Sequence, residues 1–194
     1  MNEQQLKIFY LNKKILFPNC NITVSLSNSE FTQNLQSGDK ILAYPIKSKL
    51  SILFHGKKLA TLSEIIQIKR DESKITLEIR GLVRVKLEEI IKLQQATFNF
   101  LTLTATNNHD LHEQLRKKAQ ELIFLINVNE SDSLIKLLNY LVEENQLADF
   151  ISNYFIMDFK NRHKLYYELN ITKRIKLLMN MIEFCNMIMK AIGA

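Results

Sequence analysis

The sequence predicts an α+β protein in which a curled, strand-rich half is followed by a helical half. Three observations carry this expectation. Apolar residues recur with a period of two from Leu6 to about Thr106, and with the 3.6-residue period of helices after Asn107-Asn108. Gly81 stands inside the most regular alternating stretch, where a bulge or bend lets a sheet curl towards a barrel. Charge divides at the same place. Residues 1–107 hold 15 Lys and Arg against 9 Asp and Glu, residues 108–194 hold 11 of each, and the formal +6 therefore falls on the first half. The domains are expected at 1–107 and 108–194.

Taken in order, Ile8–Leu11 and Ile22–Leu26 read as strands. A short helix follows, with Ser27 and Glu30 as a capping box and Phe31 and Leu35 one turn apart. Ile41–Ile46 and Ser51–Phe54 read as further strands. Ala60, Leu62, Ile66 and Ile68 alternate, interrupted at Glu64, and Arg70-Asp71-Glu72-Ser73 makes a hairpin turn. Next comes the clearest strand, with Ile75, Leu77, Ile79, Gly81, Val83, Val85 and Leu87 on one face. Thr76, Glu78, Arg80, Arg84 and Lys86 lie on the other, which is expected in water. Phe98 and Phe100 face one way and Leu101 and Leu103 the other, so the last strand is expected to bulge near Phe100.

In the second half, Asp110 and Glu113 cap a helix carrying Leu111, Leu115, Leu122 and Ile126 on one face. Ser131 opens a second, with Leu134, Leu137, Leu138, Leu141 and Val142. A third carries Leu147, Phe150, Ile151, Tyr154 and Phe155, and a short fourth lies around Leu165 and Leu169. Thr172 is the expected cap of the last, which holds Ile175, Leu178, Met179, Ile182 and Ile188.

Composition sets bounds on function. With 194 residues, 46% of them hydrophobic and 24% charged, the chain has a globular balance and needs no metal or disulfide staple to fold. Cys20 and Cys185 stand far apart and form no CxxC, a usage that fits a reducing cytoplasm. No apolar run is long enough to span a membrane, and the first residues lack a secretion signal, so the expected location is cytoplasmic. The glycines, at 38, 56, 81 and 193, are too dispersed for a Walker loop or GxGxxG, and GxSxG is absent. No catalytic residue and no cofactor is expected.

His109 and His112 are spaced as two metal ligands would be, but they lack cysteine neighbours and read as a solvated first turn. Lys13-Lys14, Lys57-Lys58 and Lys69-Arg70 decorate the basic half and are available to track phosphates in a nucleic acid. Phe17-Pro18-Asn19 is apolar and fixed by its proline, which makes it the candidate peptide-binding loop; burial of Phe17 in the core is the competing assignment. Met179, Met181, Met187 and Met189 read first as the packing of the last helix on its own bundle, but they leave it apolar on more than one face, and the excess points to a contact between copies of the chain.

Four segments, in order, resemble one family. Leu11 to Pro18 is similar to the opening strand and loop of the amino-terminal substrate-binding domain of Lon proteases. Gly56 to Leu87 resembles that family's strand–turn–strand, with Gly81 and Arg84 at its fixed Gly and Arg. Leu147-Ala148-Asp149-Phe150-Ile151-Ser152 matches its Leu-Ala-Asp segment, and Leu165 to Leu178 its following helix, with Arg174 at the arginine position. Tyr10 stands where the family has proline, and the loop from Pro45 to Gly56 is shorter than usual.

The resemblance implies a PUA-like β pseudo-barrel of about six strands followed by an α-helical bundle. The chain has no Walker motif and no Ser–Lys peptidase module, so neither ATP hydrolysis nor peptide cleavage carries over. The expectation is a stand-alone, non-catalytic module that binds unfolded or damaged polypeptide. RNA binding through the basic half, and a fragment of a full-length ATP-dependent protease, are the alternatives.

Overall fold

The computed structural model describes residues 5–27, 29–52, 58–101, 109–126 and 131–192. The chain divides into two compact units, Met1–Thr102 and Leu103–Ala194.

The first unit contains one six-stranded sheet. Its strands are β1 (Gln5–Asn12), β2 (Asn21–Ser27), β3 (Lys40–Ile46), β4 (Leu59–Arg70), β5 (Lys74–Ile91) and β6 (Gln95–Phe100), with a short helix α1 (Glu30–Gln33) after β2. The strand order is β2-β5-β4-β3-β1-β6, and β6 also pairs with β5, which brings the ladder back on itself as a pseudo-barrel. All neighbours are antiparallel except β1 and β3, which run parallel with Tyr10 beside Tyr44.

The alternation in β5 feeds two faces rather than one. Between Leu62/Val83 and Ser63/Gly81 the register of β4 and β5 slips by one residue, leaving Leu82 as a bulge. Ahead of it, Ile75, Leu77 and Ile79 are buried on the face that holds Ile65. Beyond it, Val85 and Leu87 are buried with Leu42, Ala60, Leu62 and Phe98 on the opposite face. The same slip turns Arg84 inward. It is only 1% exposed, not in water as expected, and its guanidinium lies 5.7 Å from the centre of the Phe17 ring.

Two other local expectations are corrected, and a third falls partly outside the described residues. The cap of α1 is Ser29, whose backbone N–H donates to Thr32 Oγ1 at 2.9 Å; Ser27 ends β2 and offers only its carbonyl. Ser51 lies in a single 3₁₀ turn, Lys49–Ile52, rather than a strand, and Phe54 is outside the described residues. β6 ends at Phe100, and the expected bulge beyond it involves Leu103, also outside them.

The second unit has α2 (His109–Ile126), α3 (Ser131–Tyr140), α4 (Glu144–Tyr154), α5 (Phe159–Tyr167) and α6 (Ile171–Ile192). Leu115, Ala119, Leu122 and Ile123 of α2 are buried, as are Ile175, Leu178 and Ile182 of α6. The flanks of these two helices are joined by ion pairs Lys118–Glu183 at 2.8 Å and Glu121–Lys190 at 2.6 Å. Asn170 caps α6 in place of Thr172, its Oδ1 accepting from the Lys173 N–H at 3.0 Å. His112 is buried rather than solvated. Burial holds its imidazole below the usual histidine range, and the neighbouring Arg116 adds to that shift.

Candidate functional site

The segments that stand out in the sequence lead first to structural anchors. Phe17 and Pro18 are buried, so Asn19 is the exposed member of the expected peptide-binding loop. Asn19 adopts a left-handed conformation (φ 60°), which asparagine tolerates well, and its N–H donates to the Gly81 carbonyl at 2.8 Å. The Gly81 N–H donates in turn to the Cys20 carbonyl at 2.9 Å. A Cβ on Gly81 would sit 2.4 Å from the Phe17 carbonyl oxygen, so only glycine admits this approach. Thr61 Oγ1 donates to the Leu16 carbonyl at 2.7 Å. Gly81, Thr61 and Arg84 therefore clamp the 15–20 loop against β4 and β5.

The helical unit repeats the pattern with opposite charges. Arg174 is fully buried with its Nη1 3.9 Å from Asp149 Oδ1, and it donates to the Glu168 carbonyl at 3.3 Å and to Asn145 Oδ1. The Asp of the Leu-Ala-Asp segment and the arginine 25 positions later are thus partners in one core.

Surface open to a ligand lies elsewhere in the strand unit. Among the described residues β2 pairs only with β5, so its outer edge is unmatched by a strand. The Thr23 and Ser27 carbonyls, four residues apart and so pointing the same way, are met by side chains: Lys14 Nζ at 3.3 Å and Thr32 Oγ1 at 3.2 Å. Beside this edge lies an open groove of about 400 Å³, walled by Phe9, Tyr10, Leu26, Phe31 and Leu93. The Phe9 and Phe31 rings are 5.3 Å apart, and Lys7 Nζ sits 5.3 Å from the Phe31 ring centre.

Leu93 reaches the groove from a two-residue turn, closed by Gln94 N–H to Ile91 carbonyl at 3.1 Å. Lys92 and Leu93 both have positive φ, 48° and 58°, where Asn-Gly is the favoured pair. Tyr10 and Tyr44 pack edge to face at 5.9 Å, and burial pushes both phenols up, so they stay neutral. The groove therefore offers apolar walls and backbone groups, with ammonium groups nearby.

The basic doublets disperse. Lys58 donates to the Glu88 carbonyl and Arg70 to the Thr32 and Leu35 carbonyls, while Lys57 is outside the described residues. Among those residues no three His, Cys, Asp or Glu side chains gather as a metal would require. No described helix is long and apolar enough to cross a membrane.

The family model for the substrate-binding domain of ATP-dependent protease La (LON) matches residues 5–183. The chain belongs to this Lon family. Solved Lon domains share the fold. The N-terminal domain of Mycobacterium avium complex Lon protease superposes with a TM-score of 0.72 at 12% identity, covering 93% of this chain and 98% of that one. A Lon N-terminal domain protein from Xanthomonas campestris gives 0.60 at 12% identity, covering 91% and 98%. No curated protein matches by sequence. At such identity the shared Lon architecture speaks for the fold alone, and the groove has to be read from this chain's own residues. In the sequence Phe31 is legible only as a helix residue packed one turn from Leu35, and nothing there marks Lys7 or Leu93 as neighbours of a groove.

Proposed function

We propose that this Lon-family domain captures unfolded or damaged polypeptide and catalyses no covalent step. The observation that carries the reading is the outer edge of β2, flanked by an apolar groove. An extended segment laid there pairs its backbone with β2 as Lys14 and Thr32 give up the Thr23 and Ser27 carbonyls, and turns alternate side chains towards Phe9 and Phe31. Such recognition depends on backbone and apolar area, so it suits many sequences. A cytoplasmic setting agrees with Cys20 and Cys185, neither of which forms a disulfide.

The deciding experiment titrates the chain into a labelled, reduced and carboxymethylated model protein and, separately, into single-stranded RNA, from 50 to 200 mM salt. Capture of the denatured protein should weaken by less than about tenfold over that range. A nucleic-acid interface with several phosphate contacts would lose roughly a thousandfold. Binding of RNA alone, with that steep dependence, refutes the reading.

The last helix favours a contact between copies of the chain. Leu177, Met181, Phe184 and Ile188 follow the 4-3-4 spacing of a coiled-coil seam, and Phe184 is 61% exposed. Sedimentation of the wild-type chain and of Phe184→Asp tests this: the variant should remain monomeric at concentrations where the wild type associates.

A further inference from the structure

We propose that the groove beside β2 selects its ligand: it takes one large apolar side chain of the added strand, and Lys7 and Lys14 favour segments with acidic residues flanking that side chain. The inference rests on the polypeptide-capture reading and gives it a substrate class.

The geometry comes first. Leu26 lines the groove and stands opposite Ile75 in the ladder, on the face that Val24 and Leu77 bury. A strand added to the outer edge of β2 would share that facing, so one of its alternate side chains enters between Phe9, Phe31 and Leu93. About 400 Å³ accommodates an aromatic or leucyl side chain.

Charge comes second. Lys7 Nζ borders the groove, donating to the Phe31 carbonyl at 3.3 Å and leaving two of its three protons for a ligand. Lys14 Nζ is held at the Thr23 carbonyl on the same edge. Thr23 and Ser27 are about 13 Å apart at strand rise, so a carboxylate roughly four positions from the anchoring side chain meets Lys14. The unit bearing the whole formal +6 draws acidic segments to this edge.

The third observation is independent. Leu93 is a branched residue held at φ 58° and 41% exposed, in a turn position that Asn would occupy with less strain. Strained residues gather where a binding surface needs their side chains, and the only evident return here is the apolar wall it supplies.

Fluorescence anisotropy of the full chain with labelled twelve-residue disordered peptides tests the inference. One peptide carries a central Phe with Glu four positions to either side; in others Ala replaces the Phe or Lys the Glu. The first should bind about tenfold more tightly than each of the others at low salt. Lys7→Glu combined with Lys14→Glu should reverse the charge preference. Leu93→Asn should erase most of the Phe-over-Ala preference while raising the melting temperature by about 2 °C, which separates lost binding from lost folding.

If the carboxymethylated protein and all peptides bind equally, and the variants change nothing, the groove assignment is wrong and polypeptide capture stands. If neither the denatured protein nor any peptide binds, the capture reading falls and the groove assignment falls with it.

Discussion

In the strand unit the buried cation Arg84 lies over a ring, 5.7 Å from the centre of Phe17, whereas in the helical unit the buried cation Arg174 faces the carboxylate of Asp149 at 3.9 Å. The two arrangements fail differently. A guanidinium over an aromatic face gains roughly 2 kcal/mol when desolvated and helps to fix a loop. A guanidinium beside a buried carboxylate gains little over an apolar pair, yet it is left uncompensated if the carboxylate goes. The strand unit thus depends on backbone closeness around Gly81, and the helical unit on charge balance. Each should break under a different substitution.

The largest effect is expected for Asp149→Ala, which strands Arg174 and should destabilise the helical unit by about 3–5 kcal/mol in urea unfolding. Combining it with Arg174→Met should recover most of that loss. Failure of the second substitution to restore stability would show that the arginine matters for its bonds to Asn145 and the Glu168 carbonyl rather than for charge. Next comes Gly81→Ala, whose new methyl meets backbone rather than a yielding side chain. About 2 kcal/mol should be lost, with amide exchange rising around 15–20 and the helical unit unchanged.

Acid should also tell the units apart. The folded state holds His112 below its ordinary value of 6.5, first through burial and then through Arg116, with Glu113 and Glu144 opposing. Above pH 6.5 the ring is neutral in both states and contributes nothing. Below it the unfolded chain takes up a proton that the folded chain resists, so stability falls as pH drops through 6.5 towards the lower folded value. Exchange protection in α2 should decline over that interval, and His112→Gln should flatten the decline. The strand unit holds no histidine among the described residues and should respond less.

The smallest effect is a gain. Glu143 occupies the extended N-cap position of α4 without a side-chain cap bond, and Gln146 stands three residues on. Glu143→Ser completes a capping box and should raise stability by about 0.5–1 kcal/mol in thermal unfolding.

Long periodic segments were legible beforehand: β4, β5 and the last helix lie where alternation and helical spacing put them. What escaped were events one residue wide. The bulge at Leu82 leaves the apolar alternation intact while reversing the face it serves, so Arg84 reads as solvated from pattern alone. Ser27 and Ser29 are both plausible caps, and only the end of β2 decides between them. The Asp149–Arg174 pair joins two segments recognisable separately, since spacing carries no sign of a contact across 25 residues. The groove was invisible for the same reason: β1, the end of β2, α1 and the turn at Leu93 converge only after the sheet curls.

The parallel seam between β1 and β3 has a consequence for how the chain is made. β1 leaves the ribosome before either of its partners, Leu42–Ile46 on one side and Gln95–Thr97 on the other. At ordinary translation speeds the second of these arrives roughly 5–20 s later. Through that interval the sheet around Ile8, Phe9 and Leu11 stays open on one side, so a domain proposed to capture unfolded or damaged chains is itself such a chain while it is being made.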